Sequence, residues 1–538
     1  MAKREWIQDK PKAKKTAEKA AGKTAEKKAV TKAKAEAKPR ANAMAKAQPA
    51  AASQRAPVLS VRLGPQVALE SWSNGHLGAV VDVYPVDLGR PSEDAKTQAL
   101  ALKHGLPLAA LAGTKPLQQE IARLVRLLAR QGLVEYPLTR GGRDLAVVEP
   151  QMADYWPEIA KLESSDTIVL SRFAYLRRRG SEMVLESPRA GALTRITDPA
   201  IAAMLNTLAT PQQVGSLRQL AGFPGDELLG LMVNCAILFK PKKAGDDGRR
   251  ASEGDENLVM WDFHDLLFHA RSAEGRQANP VGGLYPYVDR IAPPPAIRPN
   301  WPGERIDLKA ALPAPAETVS PAARLFRSRT SVRDYDDHNP ITLAELSLFL
   351  DGAARVLSQW ESPLDLDDGS DGPVLDYTRR PYPSGGSAYE LELYLTVANC
   401  DGLSNGLYHY DADAHALTPI PSRSERLDAM LDSAQYAMGA DTRPQILLTI
   451  TSRFARLGWK YAAIAYALTL KDVGALMQTL YLMAADMGLG GCAVGSSNID
   501  LFEKATGLPF HVEGPVGQFT LGRPIAADDA AEVPPASG

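Results

Sequence analysis

The chain has 538 residues, with 61 Lys or Arg, 63 Asp or Glu and a formal net charge of -2. This length exceeds what a single hydrophobic core serves, so we expect several domains. Its three cysteines, Cys235, Cys400 and Cys492, lack CxxC spacing, which excludes a disulfide framework and disfavours a zinc site. No apolar run follows the basic N-terminus, so we expect a cytoplasmic protein without a membrane anchor.

The first 56 residues consist mainly of Lys, Ala and Glu. Such a segment cannot bury enough apolar surface to offset the entropy lost on ordering, so residues 1–56 are predicted to be a disordered basic tail. A basic arm can attract a polyanion. Few aromatic side chains accompany the lysines, however, so binding of nucleic acid is not expected.

Residues 57–150 and 151–250 repeat one pattern of strands and helices. The first segment reads as strands PVLSVRL, VALESW and GAVVDVYPVDL, the helix PLQQEIARLVRLLARQG and the strand LVEYPL. The second reads as strands TIVLSRFAYLRR, EMVLES and ALTRIT before the helices DPAIAAMLNTLA, TPQQVGSLRQLA and DELLGLMVNCAILF. Thr210 and Gln213, with Pro211 between them, predict a capping box on the middle helix.

We interpret these segments as two winged-helix-like modules in tandem. Winged helices commonly bind DNA, but the candidate recognition helices carry few Arg or Lys, which favours protein or peptide binding. A purely structural role is the alternative.

Residues 251–310 are predicted to be a linker and extended arm, because a charged stretch leads to a run of prolines after Ile291. His264 and His269 are five residues apart, which does not place them on one helix face. With no Cys or third His nearby, no metal site is expected there.

Residues 311–530 carry the motifs that could bind a ligand or take part in a reaction. Ser320 and Pro321 predict the start of a helix that leads into the loop RSRTSVRDY. Arg329, Thr330, Ser331 and Arg333 of this loop offer guanidinium forks and hydroxyls suited to a phosphate and the edge of a planar ring. A solvated basic surface is the alternative. Thr342 with Glu345 predicts a further capping box, and residues 361–380 are predicted to be an acidic loop.

The motif RPYPSGGSAYELELY predicts a glycine-rich turn followed by a strand. Its residues Pro383, Ser384, Gly385 and Gly386 offer backbone N–H groups to a ligand that approaches the main chain closely. Such turns are common, so the motif alone is a weak signal. Near the end, Arg523 in LGRP is another candidate phosphate contact.

The stretch from Tyr461 to Met487 predicts one long helix, because Ala, Leu and Met predominate without Pro. Apolar residues on nearly every face predict that this helix is buried on all sides. Four polar residues interrupt it and exclude a membrane span: Lys471, Asp472, Gln478 and Asp486. Gly488 is predicted to cap its C-terminus, before the glycine-rich turn with Gly490 and Gly491. Lys460 and Tyr461 lie at the start of this helix. They are either a reactive pair or, as the alternative, a solvated surface lysine and a tyrosine that packs against the helix start.

Together, RSRTSVRDY, RPYPSGGSAYELELY, WKYAAIAYALTLKDVGALMQ, GLGGCAVG and LGRP resemble the nitroreductase-like flavin family, and more closely its SagB/ThcOx-type dehydrogenases. The upstream stretches LSRFAYLRRRGSEMVLESPRAG and WDFHDLLFHARS are also similar to that group. The resemblance implies an α+β fold in which two subunits interlock and bind FMN at their interface. We therefore predict a nitroreductase-like flavin domain over residues 311–530, preceded by the winged-helix-like modules and the tail.

The resemblance also implies roles for individual residues. Lys460 and Tyr461 fall where the family has its catalytic Lys-Tyr pair. The implied cofactor-binding residues are Arg329, Thr330, Ser331 and Arg333, then Pro383, Ser384, Gly385 and Gly386, and finally Gly490, Gly491 and Arg523. The chain departs from the family pattern at Ala462, where a Gly is usual, and at Ala475, where a His is usual.

The implied function is an FMN-dependent azoline dehydrogenase that acts on thiazoline or oxazoline rings of a ribosomally made precursor peptide. The implied partners are that peptide, a cyclodehydratase that makes the azolines and a second copy of the chain. Tyr461 would act as the base, with its phenolate stabilised by the Lys460 ammonium. One alternative is an NAD(P)H-dependent flavin reductase of nitro compounds or quinones. Another is a non-catalytic peptide-binding scaffold.

Overall fold

The computed structural model describes most of the chain after the N-terminal tail. The described residues are 56–81, 84–153, 155–220, 223–241, 253, 255–276, 282–283, 285–300, 302–312, 319–366 and 371–525. Apart from Ala56, the predicted tail lies outside them. No helix within these ranges is both long enough and apolar enough to cross a membrane.

The region before residue 240 is rich in short antiparallel strands. Its strands are β1 Val58–Leu63, β2 Val67–Ser71, β3 Leu77–Val81, β4 Tyr84–Asp87, β5 Leu106–Pro107, β6 Val134–Arg140, β7 Arg143–Pro150, β8 Thr167–Leu170, β9 Tyr175–Arg179, β10 Glu182–Glu186, β11 Ala192–Ile196, β12 Gln212–Gln213 and β13 Leu238–Phe239. Its α-helices are α1 Glu93–Leu100, α2 Pro116–Arg130, α3 Pro199–Thr207, α4 Val214–Leu217 and α5 Asp226–Asn234.

One sheet runs through both predicted modules. Its order is β5-β1-β6-β7-β11-β10-β9, so the pairing of β7 with β11 crosses the predicted boundary at residue 150. A single cluster of buried apolar residues, which includes Val61, Leu128, Ile201 and Leu238, lies beneath both segments. The winged-helix interpretation remains a prediction, but the two segments share a core and are not separate packing units.

The capping box predicted at Thr210 is wrong. Gln212 pairs with Ile168 of β8 as a short strand, and the backbone N–H of Val214 donates to the carbonyl of Asp166 at 2.9 Å. Helix α4 begins only at Val214 and ends at Leu217. Strand pairing takes the backbone groups that a helix starting at Pro211 would have needed.

The segment predicted as a linker and arm begins with two helices, α6 Glu256–Val259 and α7 Phe263–Ser272. Leu258 of α6, Leu266 of α7 and Trp261 between the two helices pack into a cluster with Phe454 and Phe510 of the C-terminal domain. Only the later part, which the structure describes at 285–300 and 302–312, is exposed throughout and largely without regular structure. The extended-arm prediction is therefore wrong for the first part of this segment.

The C-terminal domain combines helices with a six-stranded antiparallel sheet of order β18-β17-β16-β19-β21-β20. Its elements are α8 Pro321–Ser328, α9 Leu343–Ala354, β14 Ser358–Asp365, β15 Asp371–Arg379, β16 Leu391–Val397, β17 Gly406–Asp411, β18 Ala416–Ile420, α10 Ser424–Met438, β19 Ile446–Arg453, α11 Ala455–Gly458, α12 Ala465–Asp486, β20 Gly490–Val494, α13 Ile499–Thr506 and β21 Glu513–Gly522. The predicted caps at Ser320 and at Thr342 with Glu345 are present.

Helix α12 is the long predicted helix, but it begins at Ala465 and not at Tyr461. Ala463 has φ +61, in the left-handed region that interrupts a right-handed helix. The Asp265 carboxylate of α7 then accepts a hydrogen bond from the Tyr466 N–H at 3.3 Å, in the first turn of α12. Lys460 and Tyr461 therefore lie in the connection before the helix.

The far end of α12 is capped as predicted. Gly488 has φ +67, and the N–H groups of Gly488 and Leu489 donate to the carbonyls of Ala485 and Ala484. This double hydrogen bond is a Schellman motif, which favours glycine at the left-handed position.

The prediction that α12 is buried on all sides is wrong. Ala467, Lys471, Gly474 and Gln478 are exposed at helical spacing and form one solvent-facing stripe. The opposite face packs Val473, Leu476 and Leu480 into the core of the domain, which explains why the helix is apolar overall.

Candidate active site

The Lys460 and Tyr461 side chains converge on Gly386. The Lys460 Nζ donates to the Gly386 carbonyl at 3.1 Å. A methyl group on Gly386 would lie 2.6 Å from Nζ and closer still to the Tyr461 Oη. Because both polar atoms lie this close to one point, they lie within about 5 Å of each other. The structure thus joins the Lys-Tyr pair to the glycine-rich turn, two motifs more than seventy residues apart in the sequence.

Buried carboxylates hold the turn before Gly386. The Ser384 Oγ lies 3.0 Å from Asp472 Oδ2 and 3.1 Å from Glu390 Oε2, and it accepts a hydrogen bond from the Tyr389 N–H at 2.9 Å. The Gly385 N–H donates to the same Asp472 oxygen at 2.7 Å. Burial and the nearby Asp472 carboxylate raise the pKa of Glu390 to about 7.

The arginine loop, residues 329–333, lies along the edge strand β20. The Val332 N–H donates to the Gly491 carbonyl at 3.0 Å. The Ser331 Oγ lies 2.8 Å from the Tyr481 Oη on α12, and the Arg329 guanidinium stands 4.8 Å from the centre of the same ring. These contacts hold Ser331 and Arg329 side by side on a rigid support.

Arg329 is half-buried, whereas Thr330 and Arg333 are exposed. Within the described parts of the chain, neither Arg329 nor Arg333 has a carboxylate partner. Two guanidinium groups without anionic partners in one short loop match the charge of a phosphate monoester. The charge of the loop therefore fits the phosphate group of FMN.

Arg523 has different neighbours. Its guanidinium pairs with both Glu345 oxygens at 2.7 Å, and its Nε donates to the Asn339 carbonyl at 3.1 Å. The ion pair with Arg523 is the main cause of the lowered pKa of Glu345. A phosphate contact by Arg523 remains a prediction, and it would require the guanidinium to exchange Glu345 for the ligand.

Packing within the chain explains why positions 490 and 491 are glycines. A methyl group on Gly490 would lie 2.6 Å from Val332, and one on Gly491 would overlap the Phe519 ring. Both positions are buried, on opposite faces of β20. Their predicted contact with the cofactor is untested. Pro383, which was also predicted to bind the cofactor, is exposed.

Two stacked aromatic rings that were not predicted from the sequence, those of Tyr377 and Trp360, lie beside Lys460. Residues 361–380 were predicted to be a loop, but most of them belong to the hairpin of β14 and β15. Tyr377 of this hairpin stands 5.9 Å from the Lys460 Nζ, measured to the ring centre, and stacks on Trp360 with ring centres 5.6 Å apart. Asp-Gly dipeptides, as in DDGSDG, are typical of hairpins, but the acidic composition of this segment obscured that sequence signal.

Replacing Gly386 with Ala is expected to displace both reactive groups. The added methyl group would occupy the space next to Nζ and Oη, and the left-handed backbone at φ +60 costs about 1 kcal/mol for a non-glycine residue. Gly439→Ala is the matched control, because that glycine has φ +63 and nothing near its missing side chain. We expect similar melting temperatures for both variants but a loss of turnover of about 10-fold or more only in Gly386→Ala. Equal activity of the two variants would contradict this geometry.

Two family models match the chain. Residues 168–278, which run from β8 past α7, match the family described as cyanobactin oxidase ThcOx, and residues 326–523 match the nitroreductase family. The C-terminal domain therefore has the fold of an oxidoreductase family whose members typically bind a flavin. With the ThcOx segment ahead of that domain, the chain is similar to SagB/ThcOx-type nitroreductase-like proteins. The nitroreductase-like fold predicted for the C-terminal domain and the resemblance predicted from sequence are confirmed.

Three relatives share parts of the chain. The nitroreductase-like protein MJ1384 of Methanocaldococcus jannaschii is 29% identical over 31% of this chain and 75% of its own length. The trifolitoxin-processing protein TfxB of Rhizobium leguminosarum bv. trifolii is 26% identical over 28% of this chain and 40% of its own length. The microcin B17-processing protein McbC of Escherichia coli is 30% identical over 21% of this chain and 42% of its own length. The chain thus matches less than half of either peptide-processing relative.

Among solved structures, the E. coli microcin synthetase McbBCD complex with truncated pro-MccB17 bound matches 50% of this chain and 97% of the compared chain. The sequence identity is 20% and the TM-score 0.35.

Proposed function

We propose that this protein is an FMN-dependent dehydrogenase that oxidises thiazoline or oxazoline rings of a ribosomally made precursor peptide to thiazoles or oxazoles. The observation that carries the proposal is the convergence of the Lys460 Nζ and the Tyr461 Oη on Gly386. The Tyr461 phenol and the Lys460 amine are thereby held together at a glycine, in the space that a side chain at position 386 would fill.

The charge of the arginine loop supports FMN as the cofactor. Arg329, Ser331 and Arg333 would hold the phosphate, since their loop carries guanidinium groups without carboxylate partners in the described structure. The turn at Gly385 and Gly386 would lie against the ring system, where the lack of side chains permits close approach. When bound, FMN supplies a hydride acceptor at N5 of its ring.

Tyr461 would be the base that removes the proton, with the Lys460 ammonium beside its oxygen. Aromatisation of an azoline releases a proton from the carbon next to the carbonyl group and a hydride from the neighbouring ring carbon. The Tyr461 Oη at Gly386 would accept that proton, with the Lys460 Nζ within about 5 Å of it. The stacked rings of Tyr377 and Trp360 would form one wall of the substrate site and limit the access of water to it.

The proposed partners are an azoline-containing precursor peptide, a cyclodehydratase and a second copy of this chain. The first two are supported by the peptide-processing relatives TfxB and McbC and by the McbBCD complex with its bound precursor. The homodimer is supported by the exposed stripe of α12, where Ala467 and Gly474 would permit close approach of another backbone.

Anaerobic reduction of the FMN-loaded full-length protein tests this proposal. We expect an azoline-containing peptide to bleach the visible flavin absorbance and to lose two hydrogen atoms by mass spectrometry. NADPH at the same concentration should bleach it far more slowly. The matched control is the fully aromatic azole peptide, which has no hydride to give. Rapid bleaching by NADPH, with no effect of the azoline peptide, would overturn the proposal.

A flavin reductase of nitro compounds or quinones is the second candidate. It is favoured by the match to MJ1384, the one of the three relatives whose length is mostly covered. Such an enzyme would accept hydride from NAD(P)H, and the same anaerobic experiment distinguishes it from the dehydrogenase.

A further inference from the structure

The carboxyl groups of Glu390 and Asp472 meet beneath the glycine-rich turn, and this contact is not part of the proposed chemistry. Asp472 comes from α12 and Glu390 from the residue just before β16. The Glu390 side chain is fully buried, and its second oxygen, Oε1, has no hydrogen-bond partner in the described structure. A charged carboxylate in such surroundings would be strongly disfavoured.

The hydrogen-bonding groups around Ser384 indicate that one of the two carboxyl groups carries a proton. The Ser384 Oγ already accepts from the Tyr389 N–H and has a single proton to donate, yet it lies 3.0 Å from Asp472 and 3.1 Å from Glu390. If both carboxylates were ionised, one of these oxygen pairs would have no proton between its members. Asp472 also accepts the Gly385 N–H at 2.7 Å, whereas the Glu390 Oε1 has no hydrogen-bond partner in the described structure. The proton therefore belongs on Glu390.

We propose that Glu390 is a positioning residue that must be protonated to hold the turn at Ser384–Gly386 in its active conformation. Protonated Glu390 donates to the Ser384 Oγ, Ser384 donates to Asp472, and Asp472 fixes the Gly385 N–H. This chain of hydrogen bonds positions the Gly386 carbonyl, which accepts a hydrogen bond from the Lys460 Nζ. The expected effect of Glu390 on turnover rests on the proposed function. The expected effect of Glu390 on flavin binding does not depend on which substrate is oxidised.

The groups that face Glu390 are consistent with this assignment. Asp472 opposes its ionisation from α12, and the Tyr382 hydroxyl is a buried neutral neighbour. Arg456 of α11 attracts it, but this guanidinium is occupied by the Ala388 carbonyl at 2.9 Å and 3.1 Å. With the pKa of Glu390 raised to about 7, the protonated form predominates below neutrality. The native state binds this proton more tightly than the unfolded chain, so the contribution of Glu390 to stability is lost as the pH rises towards and through about 7.

Glu390→Gln tests the inference, because an amide is neutral at every pH and can still donate to Ser384. The measurements are the dissociation constant of FMN and kcat for an azoline peptide, from about pH 6 to about pH 9. In the parent protein we expect FMN affinity to fall about 10-fold or more, and kcat with it, as the pH rises through about 7. The variant should keep the low-pH values and lose this step. The exposed Glu425→Gln is the control and should behave like the parent.

Persistence of the step in Glu390→Gln, or loss of FMN binding by that variant at all pH values, would overturn the inference. If the variant does not fold, infrared spectroscopy of the parent protein decides. The carbonyl stretch of a protonated carboxylic acid should disappear with the same midpoint as the FMN affinity, and its failure to do so would also overturn the inference. If the FMN step is present but no azoline is oxidised at any pH, the proposed function fails while the assignment to Glu390 stands.

Discussion

Replacing Tyr461 with Phe is expected to lower the rate of azoline oxidation by about 100-fold or more and to leave FMN bound. The change removes one oxygen and keeps the ring, so the packing before α12 should be preserved. Lys460→Ala should produce a loss of similar size, because the ammonium group at the Gly386 carbonyl would no longer stabilise the phenolate. The measurement is single-turnover reduction of the flavin by an azoline peptide.

Two surface substitutions control for nonspecific effects. Tyr436 is 89% exposed on α10, so Tyr436→Phe should retain the parental rate. Lys103→Ala, at an exposed position in the N-terminal region, should do the same. If Tyr461→Phe and Lys460→Ala oxidise the azoline at the parental rate, Tyr461 is not the base.

Replacing Arg329 with Ala is expected to raise the dissociation constant of FMN by about 10- to 100-fold. Hydrogen bonds to charged groups contribute roughly 1.5–3 kcal/mol each, which corresponds to that range. Equilibrium titration of the apoprotein with FMN provides the measurement. The parental affinity should also weaken with added salt, since Arg333 is exposed.

Arg324→Ala is the matched control for Arg329→Ala. Arg324 is exposed on α8, the helix that leads into the arginine loop, and its guanidinium donates to the Val319 carbonyl. We expect its FMN affinity to stay within about twofold of the parent, because it adds only a screened surface charge. Unchanged FMN affinity in Arg329→Ala would remove that arginine from the phosphate site.

Local signals in the sequence predicted much of the C-terminal domain. The caps at Ser320 and Thr342 and the glycine at position 488 specify helix ends through their own side chains and backbone, so neighbouring residues suffice to predict them. The start of α12 depends on Asp265, two hundred residues away, and on the backbone conformation of Ala463. No local pattern contains that information.

The same distinction applies to the other errors. Helix formers at 210–221 were overridden by pairing of Gln212 with β8, which is a tertiary effect. The β14–β15 hairpin has few apolar residues, because both of its faces are largely exposed. The exposed stripe of α12 was not predicted, because Ala and Gly count as apolar in a hydrophobicity pattern although both are often found at exposed positions.

For the candidate site, residue types were easier to predict than their surroundings. The Lys-Tyr pair and the arginine loop stood out because the motifs resemble a known family. Asp472 was visible as a charge within an apolar helix, but its partner Glu390 was hidden in an alternating strand pattern. Only the folded chain brings the two carboxyl groups to Ser384.

The visible absorption spectrum of the purified protein, recorded before and after incubation with FMN and desalting, tests the central claim most directly. We expect a flavin spectrum that survives desalting, with about one FMN per chain. A colourless protein that cannot be reconstituted would contradict both enzyme functions and leave the peptide-binding scaffold.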